Sequence, residues 1–212
     1  MVLAVSATLG LPSGQANRPW CEAEPSGVLI LASASPRRAQ LLTAAGIEFA
    51  VVPSDIDERR DKDEDAERYV RRMARTKALA VQHVRPRVPI LAADTVVVVD
   101  DHILGKPRDG ADATAMLRLI SGRRHRVLTG VHLLADGRQQ SEVADTTVHV
   151  SPLTDEEIAW YIASGEPLDK AGAYAVQGLA SRFVLGIDGS YSNVVGLPIA
   201  LVYHMLRRAR IC

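Results

Sequence analysis

Residues 29–42 constrain the fold more than any other stretch of the chain, because an apolar run stops at a small polar loop and an amphipathic helix begins directly after it. Residues 28–32 predict a buried strand, and residues 36–45 predict a helix. Ser35 is a favourable N-cap residue, and Pro36 suits the first helical position because its missing N–H would have no intrahelical partner. The sequence therefore predicts a strand–loop–helix unit near the start of an α/β fold.

Two arginines in the first turn of that helix conflict with its dipole. Arg37 and Arg38 lie at the positive end, where carboxylates are favoured and cations are mildly unfavourable. Free backbone N–H groups, the Ser33 and Ser35 hydroxyls and two guanidinium groups at one place would bind a phosphate or polyphosphate. A surface helix with two solvated arginines remains an alternative at this point.

The composition limits the kinds of partner. The chain has 212 residues, enough for one α/β domain or for two small lobes that share a sheet. It carries 25 Lys and Arg against 25 Asp and Glu, so no overall field attracts nucleic acid or an anionic membrane. We therefore expect no nucleic-acid partner and no membrane association, and any anion site must be local.

The cysteines and the apolar stretches bear on the compartment. Cys21 and Cys212 are too few and too far apart in sequence to suggest a disulfide framework or a zinc site, which favours a reducing cytoplasm. No stretch approaches the roughly 20 apolar residues of a membrane span. We interpret residues 1–26 as a disordered or non-native extension and residues 27–212 as a single domain.

A lysine lies on the apolar face of the next predicted helix. Between residues 66 and 84, apolar residues recur at helical spacing, and Lys77 falls on the same stripe as Met73 and Val81. Such a lysine either extends its ammonium outward to solvent or points into a site. The pattern alone favours the first interpretation.

A carboxylate interrupts the most apolar strand. Residues 89–99 form a nearly continuous β-rich run of the kind that is covered on both faces, with Asp94 in its middle. Burying a carboxylate without a partner costs several kcal/mol, so Asp94 must meet a cation, a metal or hydrogen-bond donors. A hydrogen bond to a neighbouring backbone turn is a weaker alternative, because no turn residue flanks it.

The second half of the chain adds further candidates. Residues 123–126 form a basic run that we interpret as a surface turn, and Asp-Gly at 136–137 predicts the turn of a long antiparallel hairpin. Lys106 precedes a proline that keeps its backbone extended, although most such lysines are simply solvated. Residues 165–178 are glycine-rich and fit neither period, which is more typical of a binding loop than of a spacer.

Five motifs, in this order and spacing, resemble the Maf family of nucleoside triphosphate pyrophosphatases. They lie at residues 33–38, 93–95, 105–107, 165–172 and 193–198. The resemblance implies a two-lobed α/β fold around a mixed, strongly twisted β-sheet with a central cleft, related to the inosine triphosphate pyrophosphatases. It also implies a homodimer and hydrolysis of a nucleoside triphosphate to the monophosphate and pyrophosphate with a divalent metal, Mg²⁺ or Mn²⁺.

The resemblance also assigns roles to individual residues. It makes Asp94 the proton acceptor and, with Glu58, a metal ligand. The substrate-binding residues that it implies are Ser33, Ser35, Arg37, Arg38, Lys77, Thr95, Lys106 and Gln177. Arg37, Thr95 and Gln177 occupy the positions that sort the subfamilies, and they resemble the class that prefers dTTP and UTP. Ala34 departs from the glycine of many members, and its Cβ could narrow the approach of backbone to phosphate.

Two other classes of function are weighed against this one. The family's association with septum formation and cell division allows a nucleotide-binding regulator without significant turnover, which would need the phosphate site but not Asp94. A nucleic-acid binder would use Arg37, Arg38 and residues 123–126, but the zero net charge and the 4% aromatic content argue against it.

Overall fold

The computed structural model describes residues 28–211, so the predicted extension at residues 1–26 lies outside the described residues. The helices and strands are, in chain order, β1 (Leu29–Leu31), α1 (Pro36–Ala44), β2 (Phe49–Val51), α2 (Ala66–Val84), β3 (Ile90–Val99), β4 (His102–Leu104), α3 (Gly110–Ile120), β5 (Arg124–Ala135), β6 (Arg138–Val150), α4 (Asp155–Ala163), β7 (Val184–Asp188), α5 (Tyr191–Val195) and α6 (Ile199–Arg208). Three short 3₁₀ turns lie between α4 and β7, at Glu166–Asp169, Ala171–Ala173 and Leu179–Phe183.

The strands form one mixed sheet. Within residues 28–211 it has seven strands in the order β2-β1-β3-β5-β6-β7, and β4 pairs separately with β3. β1 is parallel to β2 and β3, while the other pairs are antiparallel. The predicted mixed α/β class is therefore confirmed, with the parallel pairs built from the strand–loop–helix unit and the antiparallel part from the Asp-Gly hairpin.

Alternate residues of β3 pack against different helices. Ile90 and Ala92 pack with α2 on one face of the sheet. On the opposite face, Leu91 packs with α1 and α6. Further along the same face, Val97 and Val99 pack with α3 and α4. Because a fully buried aliphatic side chain contributes about 1.5–3 kcal/mol, both helical groups are held firmly to β3. They leave a gap between them over the middle of the strand.

One local prediction is wrong, and one short helix was not predicted. The basic residues 123–126 do not form a surface turn, because β5 already begins at Arg124 and pairs with β6 from its first residue. In the described chain His125 is 2% exposed, so the run alternates between outside and core as a strand does. The unpredicted helix is α5, and the Ser190 hydroxyl caps it by accepting from the backbone amide of Asn193.

Helix lengths and hydropathy also bear on membranes. In residues 28–211, no helix combines the length and the apolar character that crossing a bilayer requires.

Candidate active site

The cleft begins at a notch in one edge of β3. Ile90 and Leu91 pair with β1, and Val97–Val99 pair with β4 on the same edge. Between them, residues 92–96 have a neighbouring strand only on the β5 side, as far as the described residues go. Because both β1 and β4 are three residues long, the middle of β3 is left open, and side chains from both of its faces reach one cavity.

This cavity has a volume of about 610 Å³ and brings together every site residue expected from the sequence. These residues are Ser33, Ser35, Arg37, Arg38, Glu58, Lys77, Asp94, Thr95, Lys106 and Gln177. They come from loops and strands that are far apart in sequence, and the cavity is large enough for a nucleotide-sized ligand.

Lys77 joins the two carboxylates of the site. Its Nζ donates to Asp94 Oδ1 at 2.6 Å and lies 2.7 Å from Glu58 Oε1. Lys77 and Asp94 are both 7% exposed, so the lysine points into the site rather than out to solvent. Lys77 is therefore the cation that a buried Asp94 requires. This contact explains why a lysine occupies the apolar stripe of α2.

The two carboxyl groups have different proton affinities. Burial raises the pKa of Asp94 and outweighs the nearby charges of Lys77 and Arg38. Burial acts in the same direction on Glu58, but the hydrogen bond and charge of Lys77 together with the charges of Lys106 and Arg38 outweigh it and lower the pKa of this carboxyl. The site thus pairs one carboxylate that takes up a proton more readily than usual with one that stays ionised.

A glycine brings Lys77 to this position. Gly130 of β5 pairs with Asp94, and a Cβ on it would lie 2.3 Å from the carbonyl oxygen of Val70 in α2. α2 therefore packs backbone against backbone on the sheet at this point, which only a glycine allows. This close approach determines how near the backbone of Lys77 lies to the sheet, and so allows its side chain to reach Asp94.

The loop between β1 and α1 is built around Ser33. Its hydroxyl accepts from the Ser35 amide at 3.2 Å and from Arg38 Nη1 at 3.1 Å. Ser35 is the N-cap residue by position, as predicted, but its side chain makes no capping hydrogen bond. The helix start and the Ser35 hydroxyl therefore remain available to an anion in the cleft.

Arg37 and Arg38 have different environments. Arg38 donates from Nε to the Gly196 carbonyl at 2.8 Å and from Nη2 to Thr95 Oγ1 at 3.1 Å. Arg37 instead reaches across the cleft to Asp169, at 3.2 Å from Nη1 to Oδ2. The conflict with the helix dipole is thus relieved in two ways, by neutral acceptors for Arg38 and by a carboxylate for Arg37.

The glycine-rich loop forms the far wall of the cleft. Asp169 also accepts from Lys170 Nζ at 2.5 Å, so one carboxylate bridges a cation from each side of the cleft. Gly172 donates its amide to the Gly105 carbonyl at 3.0 Å, which ties this loop to the segment that carries Lys106. The loop prediction is consistent with this position, since it contributes directly to the cavity.

Two residues expected to contact the base differ in availability. The Thr95 hydroxyl already receives Arg38, lies 2.9 Å from Thr129 Oγ1 and lies 3.3 Å from the Gly196 carbonyl oxygen. Gln177 is exposed on the cleft wall. The geometry therefore leaves Gln177, rather than Thr95, free for a direct contact with a ligand.

Several residues that shape the cleft gave no recognisable signal in the sequence. Tyr69 donates its hydroxyl to the Glu58 carbonyl oxygen at 2.8 Å and so fixes the acidic loop. Tyr174 lines the cavity, and its hydroxyl lies 2.7 Å from His125 Nε2. Thr129 and Gly130 lie inside a strand that looks ordinary in sequence. A polar residue at an inward strand position is the one clue that could have marked Thr129.

The fold and the cleft define an α/β protein with a cavity lined by several cationic side chains around a buried carboxylate. The family is then given by comparison: the model of the family described as "Maf-like protein" matches residues 28–209, and the chain belongs to this family.

Individual relatives cover nearly the same range. A protein named dTTP/UTP pyrophosphatase from Koribacter versatilis (strain Ellin345) is 52% identical over 181 residues, covering 85% of this chain and 94% of that protein. One of the same name from Escherichia coli O157:H7 is 49% identical, covering 84% of this chain and 91% of its own length. The solved Ham1 protein of Staphylococcus aureus aligns with a TM-score of 0.46 at 11% identity, over 86% of this chain and 99% of that structure.

Proposed function

We propose that this protein hydrolyses nucleoside triphosphates, dTTP and UTP foremost, to the nucleoside monophosphate and pyrophosphate. Membership of the Maf-like family and the names of relatives about half identical in sequence support the reaction class. The observation that carries the proposal is the buried Asp94 at the centre of a cleft lined by Arg37, Arg38, Lys77 and Lys106.

The four cationic side chains lower the electrostatic barrier to attack on the substrate. A nucleoside triphosphate carries about four negative charges, which repel a nucleophile from the α-phosphorus until they are neutralised. Arginine and lysine side chains fixed in a partly dehydrated cleft stabilise that charge as it spreads in the transition state. Arg37 exchanges Asp169 for a phosphate oxygen in this scheme, because both ligands are anionic and the Arg37 side chain lines the cleft.

Asp94 accepts the proton of the attacking water. The water oxygen bonds to the α-phosphorus, the bond from that phosphorus to the bridging oxygen breaks, and pyrophosphate leaves with the bridging oxygen. A general base works best when its pKa approaches the working pH, and burial moves the pKa of Asp94 in that direction. Lys77 holds the carboxylate in place through the 2.6 Å hydrogen bond.

A divalent metal, Mg²⁺ or Mn²⁺, completes the proposal. In the described residues there is no group of three or more His, Cys, Asp or Glu that could hold a metal alone. Asp94 and Glu58 both pair with the ammonium group of Lys77, so the two carboxylates lie close to each other. Carboxylate oxygens suit Mg²⁺ when phosphates and waters supply the remaining ligands. Asp94 and Glu58 would hold the ion, which supplies further neutralisation of phosphate charge.

The base preference rests chiefly on Gln177. Its amide both donates and accepts, so it can pair with the O4 and N3–H edge of thymine or uracil. A methylated purine would instead require an aromatic stacking partner and an acidic acceptor, and neither Thr95 nor Gln177 provides one. dTTP and UTP are therefore expected to exceed CTP and purine triphosphates as substrates.

A substrate panel tests the proposed function. The purified protein is incubated with dTTP, UTP, CTP, GTP, ATP and 7-methyl-GTP plus Mg²⁺ or Mn²⁺, and pyrophosphate and orthophosphate are measured separately. Pyrophosphate release that is fastest from dTTP and UTP supports the proposal. Tight nucleotide binding without release would instead support a nucleotide-binding regulator of cell division, and binding of nucleic acid alone would reject both.

A homodimer and a cytoplasmic location are further parts of the proposal. They are supported by the family resemblance and by the lack of a cysteine pattern for disulfides, respectively. Sedimentation at micromolar concentration distinguishes a dimer from a monomer of 22.9 kDa. Fractionation of the source cells distinguishes the compartments.

A further inference from the structure

The half-buried guanidinium of Arg38 is held by three neutral acceptors from three parts of the chain. These are the Ser33 hydroxyl at 3.1 Å, the Thr95 hydroxyl at 3.1 Å and the Gly196 carbonyl at 2.8 Å. A guanidinium has five N–H donors in a fixed plane, so three directed bonds determine its orientation completely.

Two N–H donors of Arg38 are left over, one on Nη1 and one on Nη2. No group within residues 28–211 accepts from them, and Arg38 lines the cleft. A pair of donors on the two terminal nitrogens matches two oxygens of one phosphate. The orientation imposed by the three acceptors therefore decides whether this pair meets the substrate.

Each acceptor must itself be fixed to impose an orientation. Gly196 follows α5 with φ of 124°, and Asn193 holds that helix by donating from Nδ2 to Val127 O and Thr146 Oγ1, both at 2.9 Å. Asn193 is fully buried, so these bonds are shielded from water. The Gly196 carbonyl is thus anchored to β5 and β6.

Thr129 fixes the second acceptor. It lies directly opposite Thr95 on β5, is fully buried, and places its Oγ1 2.9 Å from Thr95 Oγ1. Thr95 has one hydroxyl proton and accepts from Arg38, so the neighbouring hydroxyl limits where that proton points. The Thr95 hydroxyl also donates to the Gly196 carbonyl at 3.3 Å, a longer contact than the 2.9 Å to Thr129. Without the Thr129 hydroxyl, the Thr95 side chain loses the shorter of the two contacts that keep its Oγ1 opposite Arg38.

We propose that Thr129 is a positioning residue for the reaction, which acts through Thr95 to aim the two remaining N–H donors of Arg38 at a substrate phosphate. The proposal rests on the proposed function, since it assigns a phosphate to Arg38. Thr129 lines no part of the cavity, so its effect on substrate passes through Thr95 and Arg38.

The test compares Thr129→Val, which keeps the shape but removes the hydroxyl, with Thr129→Ser, which restores it. One hydrogen bond is worth about 1 kcal/mol, so Thr129→Val should lower kcat/KM for dTTP by roughly five- to tenfold. Thr129→Ser should recover most of that loss. Thr114→Val is the matched control, because the Thr114 hydroxyl bonds only to the Gly110 carbonyl on α3.

A double-mutant comparison separates positioning from simple destabilisation. In an Arg38→Ala background, Thr129→Val should cause no further loss in kcat/KM, while any change in melting temperature should persist. An equal loss in both backgrounds, or a change below twofold in the single variant, would overturn the proposal.

Calorimetry of inorganic pyrophosphate binding distinguishes failure of the Thr129 proposal from failure of the proposed hydrolysis. Weaker binding to Thr129→Val than to the unaltered protein and Thr129→Ser supports the positioning role even if no turnover is found. Unchanged binding together with unchanged turnover rejects it without affecting the reaction class.

Discussion

At the scale of single residues, the chemistry depends on Asp94 and Glu58, two carboxyl groups that share one lysine but differ in burial. The Asp94 side chain is 10% exposed, whereas the Glu58 side chain is 56% exposed. Lys77 therefore stabilises the charge on both carboxyl groups, but Glu58 is also well exposed to water and Asp94 is not. When two neighbouring carboxyl groups have environments that shift their pKa values in opposite directions, one commonly exchanges a proton and the other stays charged.

Asp94→Asn should abolish turnover and preserve nucleotide binding. The amide keeps the size but cannot take the proton of water, which should lower kcat by on the order of a thousandfold or more. Binding of dTTP, followed by calorimetry, should be unchanged or slightly tighter because a negative charge is removed. Asp145→Asn is a surface control, and near-normal kcat in Asp94→Asn would remove Asp94 from the mechanism.

Arg37→Ala and Lys106→Ala should each lower kcat/KM for dTTP by on the order of a hundredfold. Each removes a charge-assisted contact to phosphate in a partly dehydrated cleft. Arg124→Ala, which alters an exposed arginine at the start of β5 that does not line the cleft, is the matched control. Equal losses in all three variants would mean that the effect is not specific to the cleft.

Gln177→Glu should reduce the preference for dTTP and UTP. Its carboxylate would repel O4 or O2 of the pyrimidine and could accept only from N3–H, leaving polar atoms unpaired. The ratio of kcat/KM for dTTP to that for CTP is the measurement. An unchanged ratio would show that another part of the loop, and not Gln177, recognises the base.

At the scale of elements, the packing of α2 on β5 places Lys77, and Gly130 makes that packing possible. Gly130→Ala should force α2 outward, because its Cβ would lie 2.3 Å from a backbone oxygen that cannot rotate away. Overpacking of this kind costs about 1–3 kcal/mol, to be read from urea unfolding. Gly186→Ala, where a Cβ would meet nothing within 4 Å, is the matched control and should be close to neutral.

The strongest elements could be predicted from sequence because their signals are local. α2 has the predicted bounds, and β3 differs from its prediction by one residue at its start. The notch in β3 could not be predicted, because it arises where two three-residue strands share one edge of a third strand. The start of β5 was missed because three of the four residues 123–126 are arginines, which is typical of a solvated turn. Pairing with β6 shows instead that these residues alternate between the outside and the core, as in a strand.

The same distinction applies to the site. Arg37, Arg38 and Asp94 each conflict with their local surroundings in the sequence, and that conflict marked them. Thr129 and Gly130 satisfy the strand pattern, so only the approach of α2 and of Thr95 reveals what they do.

At the scale of the whole molecule, the described chain contains buried histidines whose protonation opposes folding. Burial lowers the pKa of His125 to about 4 and that of His132 to about 4, against about 6.5 in an unfolded chain. Between these values the unfolded state binds more protons, so stability is complete above pH 6.5 and declines as the pH falls toward 4. The raised pKa of Asp94 acts in the opposite direction.

His132→Leu should therefore flatten the pH dependence of stability. The measurement is the urea midpoint between pH 7 and pH 5.5, an interval that lies above the range in which most carboxyl groups titrate. The unaltered protein should lose more stability over this interval than the variant, while His102→Asn at an exposed position should match the unaltered protein. A slope that His132→Leu leaves unchanged would show that His132 is not a source of the acid sensitivity.

In the proposed mechanism, the Asp94 cleft directs water to the α-phosphorus. Hydrolysis of dTTP in ¹⁸O-enriched water, followed by mass spectrometry of both products, tests it most directly. We expect one ¹⁸O atom in dTMP and none in pyrophosphate, and we expect Asp94→Asn to form neither product at a significant rate. Label in pyrophosphate, or release of dTDP and orthophosphate, would contradict it.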